Sequence, residues 1–211
     1  MSKELSLLHQ VGQRLAIGLP GTTVDDSYRR LVQEYKIANV VLFAHNIESK
    51  EQLHTLCQDI QALVKEETGY PAFITIDQEG GTVTRLSEDC TNMPGAMAIA
   101  ATGNVENAIQ AAVITGKELK ALGVNFNLAP VLDINSDPDN PVIGVRSYGD
   151  TPEKVVKYAI PTFKALLEQD ILAVGKHFPG HGDTAVDSHL ALPKVEKTKE
   201  ELWQVELRSF M

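Results

Sequence analysis

Residues 171–189 read ILAVGKHFPGHGDTAVDSH and bring together groups able to move protons or hold polar ligands: Lys176, His177, His181, Asp183, Asp187 and His189. Three of the chain's six histidines fall here. The apolar run 171–174 has strand character, while Pro179, Gly180 and Gly182 oppose a helix in the residues after it. The polar groups are therefore expected on a shaped loop at the C-terminal end of a strand, where α/β folds carry their chemistry. The sharpest local feature is Asp187-Ser188-His189. An aspartate two residues from a histidine on irregular backbone can accept a hydrogen bond from one ring nitrogen. That fixes the tautomer and leaves the other nitrogen for proton transfer. A plain surface contact between the two is the bland alternative, and the neighbouring Lys176 and His177 favour the chemical one.

A metal site is the next alternative. His177 and His181 are four apart and Asp183, Asp187 and His189 offer further ligands, but the intervening Pro-Gly removes the helical face on which two histidines usually meet zinc. No metal and no cofactor are expected. Ser188 lacks the G-x-S-x-G elbow of a nucleophilic serine.

The longer run KHFPGHGDTAVDSHLALP resembles the signature loop of family-3 glycoside hydrolases, in their β-N-acetylglucosaminidase branch. The resemblance implies that His189 is the general acid/base with Asp187 as its partner, and that Lys176 and His177 hold sugar hydroxyls. His181 and Asp183 would shape the loop.

These residues need a scaffold, and the rest of the chain supplies an alternation of strand and helix. Short apolar runs predict strands over 15–19, 40–43, 72–76, 124–132 and 171–174. Helical spacing runs over 25–37. Ser49 opens the next helix with Gln52 placed for a capping box, and Gly69 ends it. Val105–Leu122 is a further helix, Thr151 with Pro152 starts another that contains a kink-prone Pro161, and Thr198 with Glu201 caps a last one. Strand-helix repetition predicts a parallel sheet with right-handed crossovers. A doubly wound sheet fits as well as a TIM-type (β/α)8 barrel, and polar residues at the ends of strands three, four and five favour the barrel. At the end of strand three stands Asp77-Gln78-Glu79-Gly80-Gly81, with Arg85 eight residues past Asp77. Its paired glycines permit close backbone approach, and the motif is neither a P-loop nor G-x-G-x-x-G. The loop 135–149 holds Arg146 and is expected to be ordered.

The same family resemblance extends through IGLPG, VVLFAHNI, ITIDQEGGTVTRL, NFNLAPVLDIN and NPVIGVRSYG, in the family's order. By that match Asp77, Arg85 and Arg146 join Lys176 and His177 as sugar-binding residues. The residue types suit sugar binding, since a carboxylate accepts paired hydroxyl hydrogen bonds and a guanidinium is a rigid fork of donors.

Composition is ordinary for a globular domain, 43% apolar and 22% charged in 211 residues. A formal charge of −9 argues against nucleic acid and an anionic membrane surface as partners. Cys57 and Cys90 are too few for a disulfide framework. The N-terminus shows no signal peptide and no run is long enough to span a bilayer, so the cytoplasm is expected.

A complete barrel of this type takes about 250 residues, so residues 1–211 are expected to be a single, incomplete barrel domain of about five β/α units. The resemblance puts the nucleophile on an aspartate of a later strand, and no residue here matches it. The resemblance implies hydrolysis of terminal non-reducing β-linked N-acetylglucosamine with retention, on peptidoglycan fragments in cell-wall recycling, and the 211 residues are expected to be inactive alone and to self-associate through an unclosed edge. Two readings from other classes are a non-catalytic sugar-binding or interaction fragment and a metal-dependent barrel hydrolase.

Overall fold

The computed structural model describes residues 5–184, 194–195 and 197–211. In chain order the elements are α1 (Leu7–Gly12), β1 (Ala16–Gly18), α2 (Asp26–Tyr35), β2 (Asn39–Leu42), α3 (Lys50–Thr68), β3 (Ile74–Ile76), α4 (Ala96–Ala101), α5 (Val105–Leu122), β4 (Phe126–Asn127), α6 (Pro152–Glu168), β5 (Leu172–Ala173) and α7 (Lys199–Gln204). The alternation is the expected α/β order, and the chain divides into two compact units.

The first unit comprises residues 1–77, 85–91 and 117–127. Its strands β1 to β4 pair in chain order and all run parallel, with registers Ala16↔Asn39, Val40↔Ile74 and Thr75↔Phe126. Two asparagines extend these ladders where the strands begin. Asn39 donates to the Gln13 and Leu15 carbonyls and accepts from Phe73 N, while Asn125 donates to Ala72 O and accepts from Ile74 N. Each amide thus takes the place of a backbone partner, which short strands need if their polar groups are to stay paired. β3 is buried at every position, as a strand covered on both faces must be. Helix α3 buries Leu53, Leu56, Cys57, Ile60, Leu63 and Val64, an apolar stripe at helical spacing. Ser49 Oγ accepts from Gln52 N at 3.2 Å, and Gly69 closes the helix at φ 80°. Gln52 departs from a strict capping box: its side-chain oxygen takes Glu48 N, and its amide donates to Thr22 O and Asn46 O. The side chain thereby ties the helix start to the loop after β1.

The second unit comprises residues 78–84, 92–116 and 128–211. Its core packs Ile99 of α4 and Ala108 of α5 with Leu132, Ile134 and Tyr148, and with Val155, Tyr158 and Ala159 of α6. Thr151 caps α6, Pro152 occupies its first turn, and the helix runs through Pro161 to Glu168. Thr198 and Glu201 form the reciprocal capping box of α7. The expected strand over 124–132 is shorter, with regular pairing only at Phe126–Asn127 and an isolated parallel bridge from Val131 to Lys176. Pro130 explains the break, because it has no N–H to give the ladder. Among the described residues no helix is long and apolar enough to cross a membrane.

Candidate functional site

Two chain segments of the second unit run side by side and end in chemistry. Val174 N donates to Ala129 O (3.1 Å), Lys176 N to Pro130 O (3.2 Å), and Leu132 N to Lys176 O (2.6 Å). This parallel pairing delivers Asp133 from one segment and Lys176 and His177 from the other to the same end. A third segment, 135–149, folds back on them. Asn135 N donates to Gly149 O, and Ser147 Oγ donates to Asp133 O and Gly149 O. Inside it Asn140 bonds to Val142 N, Ile143 N, His181 O and Thr184 O, so one buried amide holds two loops. The loop is ordered, as its sequence suggested, and the 3-10 turn Gly144–Arg146 presents Arg146.

The carboxylate of Glu79 is the hub. It receives Arg146 Nε at 2.9 Å and Arg146 Nη2 at 2.8 Å, and Lys176 Nζ at 2.6 Å. The three side chains are 6%, 14% and 12% exposed, so the charges interact with little screening by water. Burial pushes the Glu79 carboxyl up, but the hydrogen bond from Arg146 and the charge and hydrogen bond of Lys176 outweigh it, and the net displacement is downward. Arg146 Nη1 also donates to Val142 O. One carboxylate between two cations leaves the group rich in donors and net positive, a composition suited to oxygen acceptors on a ligand.

His177 completes the cluster. Its Nε2 lies 3.3 Å from Arg146 Nη2, and its Nδ1 lies 2.5 Å from Asp133 Oδ2. Asp133, 1% exposed, also accepts from His177 N and His181 N. His181 bonds through Nδ1 to Thr184 Oγ1, and its ring meets that of His177 edge-on. Asp183 pairs with Lys197, which also binds Glu206, so the turn before residue 185 is fastened to the segment after 196.

Of the residues nominated from sequence, Arg146, Lys176 and His177 are thus brought together. Asp77 directly follows β3 in the first unit and Arg85 lies in that unit too, both half-buried. Asp187 and His189 lie outside the described residues. Glu79 and Asp133 were not nominated, yet they anchor all three clustered side chains. The signal available for Glu79 was its place in a strand-end block, and for Asp133 an acid within an otherwise apolar run, APVLDI. The paired glycines after Glu79 do serve a close approach, but to the chain itself: a Cβ on Gly80 would lie 2.8 Å from Met93 O, and one on Gly81 would lie 2.7 Å from Gly95 Cα. Gly182 is tighter still, since a Cβ there would sit 1.7 Å from Ile134 O. Gly182→Ala is expected to cost about 1–3 kcal/mol or more through overpacking, read as a lower midpoint in denaturant. An unchanged midpoint would show that this loop is not seated against Ile134.

Comparison with known proteins bears on the family and the fold. The Glycosyl hydrolase family 3 N terminal domain matches residues 4–211. Beta-hexosaminidase A of Pseudoalteromonas piscicida is 40% identical over 90% of this chain and 32% of its own length. Beta-hexosaminidase of Alkalilimnicola ehrlichii is 37% identical over 93% of this chain and 57% of its own. Among solved structures, a family 3 β-N-acetylglucosaminidase from Paenibacillus sp. str. FPU-7 superposes with a TM-score of 0.94 at 44% identity, covering 98% of this chain and 39% of that one. NagZ from Neisseria gonorrhoeae in complex with N-trifluoroacetyl-D-glucosamine gives 0.84 at 32%, covering 93% and 58%. The 211 residues therefore span from a third to somewhat over half of these relatives. The α/β fold is the TIM-barrel type of this domain, truncated relative to them. The chain belongs to the glycosyl hydrolase family 3 N-terminal domain family.

Proposed function

We propose that these residues form the sugar-holding and acid/base part of an exo-acting, retaining β-N-acetylglucosaminidase. The observation that carries this is the donor cluster of Arg146 and Lys176, bridged by buried Glu79 beside His177, in a chain whose relatives are beta-hexosaminidases. Arg146, Lys176, His177, Asp77 and Arg85 hold the terminal N-acetylglucosamine. His189, oriented by Asp187, protonates the departing oxygen and later activates water. Between those steps an aspartate outside these 211 residues occupies the anomeric carbon, so that configuration is retained. Imidazole suits the double duty because its unperturbed pKa of about 6.5 lets it give and regain a proton near neutrality. The substrates are peptidoglycan fragments met in the cytoplasm during cell-wall recycling, and residues 1–211 are part of a single barrel domain.

The full-length protein is expected to hydrolyse a chromogenic N-acetyl-β-glucosaminide, with the β-anomer of the sugar as first product. The 211 residues alone are expected to show no turnover and to associate through the open sheet edge, as light scattering would register. Absence of hydrolysis by the full-length protein would favour a non-catalytic sugar-binding role. Turnover by the 211 residues alone would overturn the division of labour.

A further inference from the structure

We propose that Asp133 is a positioning residue that fixes His177 as the Nδ1–H tautomer, so that the imidazole offers Nε2 as a hydrogen-bond acceptor to a ligand hydroxyl. The proposal rests on the sugar-holding reading of the cluster for its kinetic part and on geometry alone for the tautomer.

The carboxyl group of Asp133 is wholly enclosed, and each of its oxygens accepts a backbone N–H, Oδ1 from His181 and Oδ2 from His177. Both oxygens are thus placed as acceptors, and at 2.5 Å from Oδ2 the His177 Nδ1 is placed as the donor. The opposite face of the ring agrees. Arg146 Nη2 stands 3.3 Å from Nε2, and a guanidinium nitrogen can only donate. A proton on Nε2 would set donor against donor. Both neighbours therefore demand the same neutral form, and neither could accommodate the other tautomer without moving. Arg146 in turn is held by two bonds to Glu79, so it cannot yield without breaking them. The His177 side chain is 35% exposed, so the ring borders space that a ligand could enter. Asp133 itself stays buried and acts through the ring. The chemical consequence is selectivity. Lys176 and Arg146 only donate, and the Glu79 oxygens already accept from both, so the acceptor offered to a hydroxyl is His177 Nε2. There the hydroxyl would take the place of the long 3.3 Å contact from Arg146 Nη2, while Arg146 keeps its two bonds to Glu79. A ligand is expected to point a hydroxyl at it and an acceptor oxygen at the cations. An analogue with fluorine or a methoxy group in place of that hydroxyl should be rejected.

The direct test is nitrogen NMR of the full-length protein with labelled histidine, the His177 signal identified by its loss in His177→Ala. A protonated, pyrrole-type Nδ1 and a bare, pyridine-type Nε2 are expected. The reverse pattern overturns the proposal, whatever the protein's activity. The kinetic test is a double-mutant cycle. Asp133→Asn should raise KM roughly ten- to hundredfold, the equivalent of one charge-assisted hydrogen bond, with kcat within about threefold, as for lost uniform binding. Combined with His177→Ala it should add little. An unchanged KM in Asp133→Asn, or effects that simply add, would show a structural role only. If Asp133→Asn does not fold, the nitrogen spectrum of the unsubstituted protein still decides. A silent hydrolase assay with Nδ1–H at His177 would instead remove the glycosidase reading and leave the tautomer assignment standing.

Discussion

Glu79→Ala is expected to destabilise the domain by about 3–5 kcal/mol, because it takes away the carboxylate that two enclosed cations share. That is a large part of an ordinary domain's stability of about 5–15 kcal/mol. In a domain of this size it corresponds to roughly 10 °C in Tm. Whatever folds should lose about a hundredfold in kcat/KM, since Arg146 and Lys176 would no longer be held in place and small misplacements carry that cost. Glu79→Gln keeps the shape and some of the hydrogen bonds, and it should fall between. The pH dependence has a definite sign. The Glu79 carboxyl is held below its ordinary value of 4.5, so its contribution is complete above that value. It is lost as pH falls through the lower, folded value. In a comparison of unfolding midpoints, the gap between the native protein and Glu79→Gln should be widest above pH 5 and close on acidification. A gap that widens towards acid would mean that burial, rather than Arg146 and Lys176, sets the charge state.

His189→Ala should have the largest effect on chemistry. Loss of a positioned general acid typically costs about 10²–10⁴-fold in rate. The loss should be felt with substrates whose leaving group needs a proton, such as a disaccharide. It should shrink with an activated phenolate that departs unaided. Steady-state kinetics across a series of leaving groups would therefore show a steeper dependence on leaving-group pKa in the variant. Equal loss for every leaving group would remove the acid role from His189 and make it a binding or structural residue. Asp187→Asn should show the same pattern in weaker form, as expected of a partner that orients the imidazole.

Much of the scaffold was legible because its signals are local. Ser49, Gly69, Thr151 with Pro152, and Thr198 with Glu201 mark helix ends where the sequence says they should, and Val105–Leu122 begins and ends as the pattern predicts. Caps and glycine stops depend on residues three or four apart, which a one-dimensional reading sees. β4 was overread because the apolar run 128–132 looks like strand, yet Pro130 has no donor to continue the ladder. The site divides along the same line. Residue type and family resemblance pointed to Arg146, Lys176 and His177. The acids that hold them escaped notice, since Glu79 meets Arg146 across 67 positions and Asp133 meets His177 across 44. Its place after a strand is the one local sign against a solvated turn acid, and only the folded backbone shows that Glu79 is enclosed. The double glycine beside it carried a general signal, close approach, without saying to what.

The central claim is that Arg146, Lys176 and His177, set by Glu79 and Asp133, grip a terminal N-acetylglucosamine. A crystal structure of the full-length protein soaked with N-acetylglucosamine tests it most directly. The sugar is predicted to lie within hydrogen-bonding distance of the Arg146 guanidinium, the Lys176 ammonium and His177 Nε2, with Glu79 and Asp133 still bonded behind them. A sugar bound elsewhere, with those three side chains facing only their two acids, would contradict it.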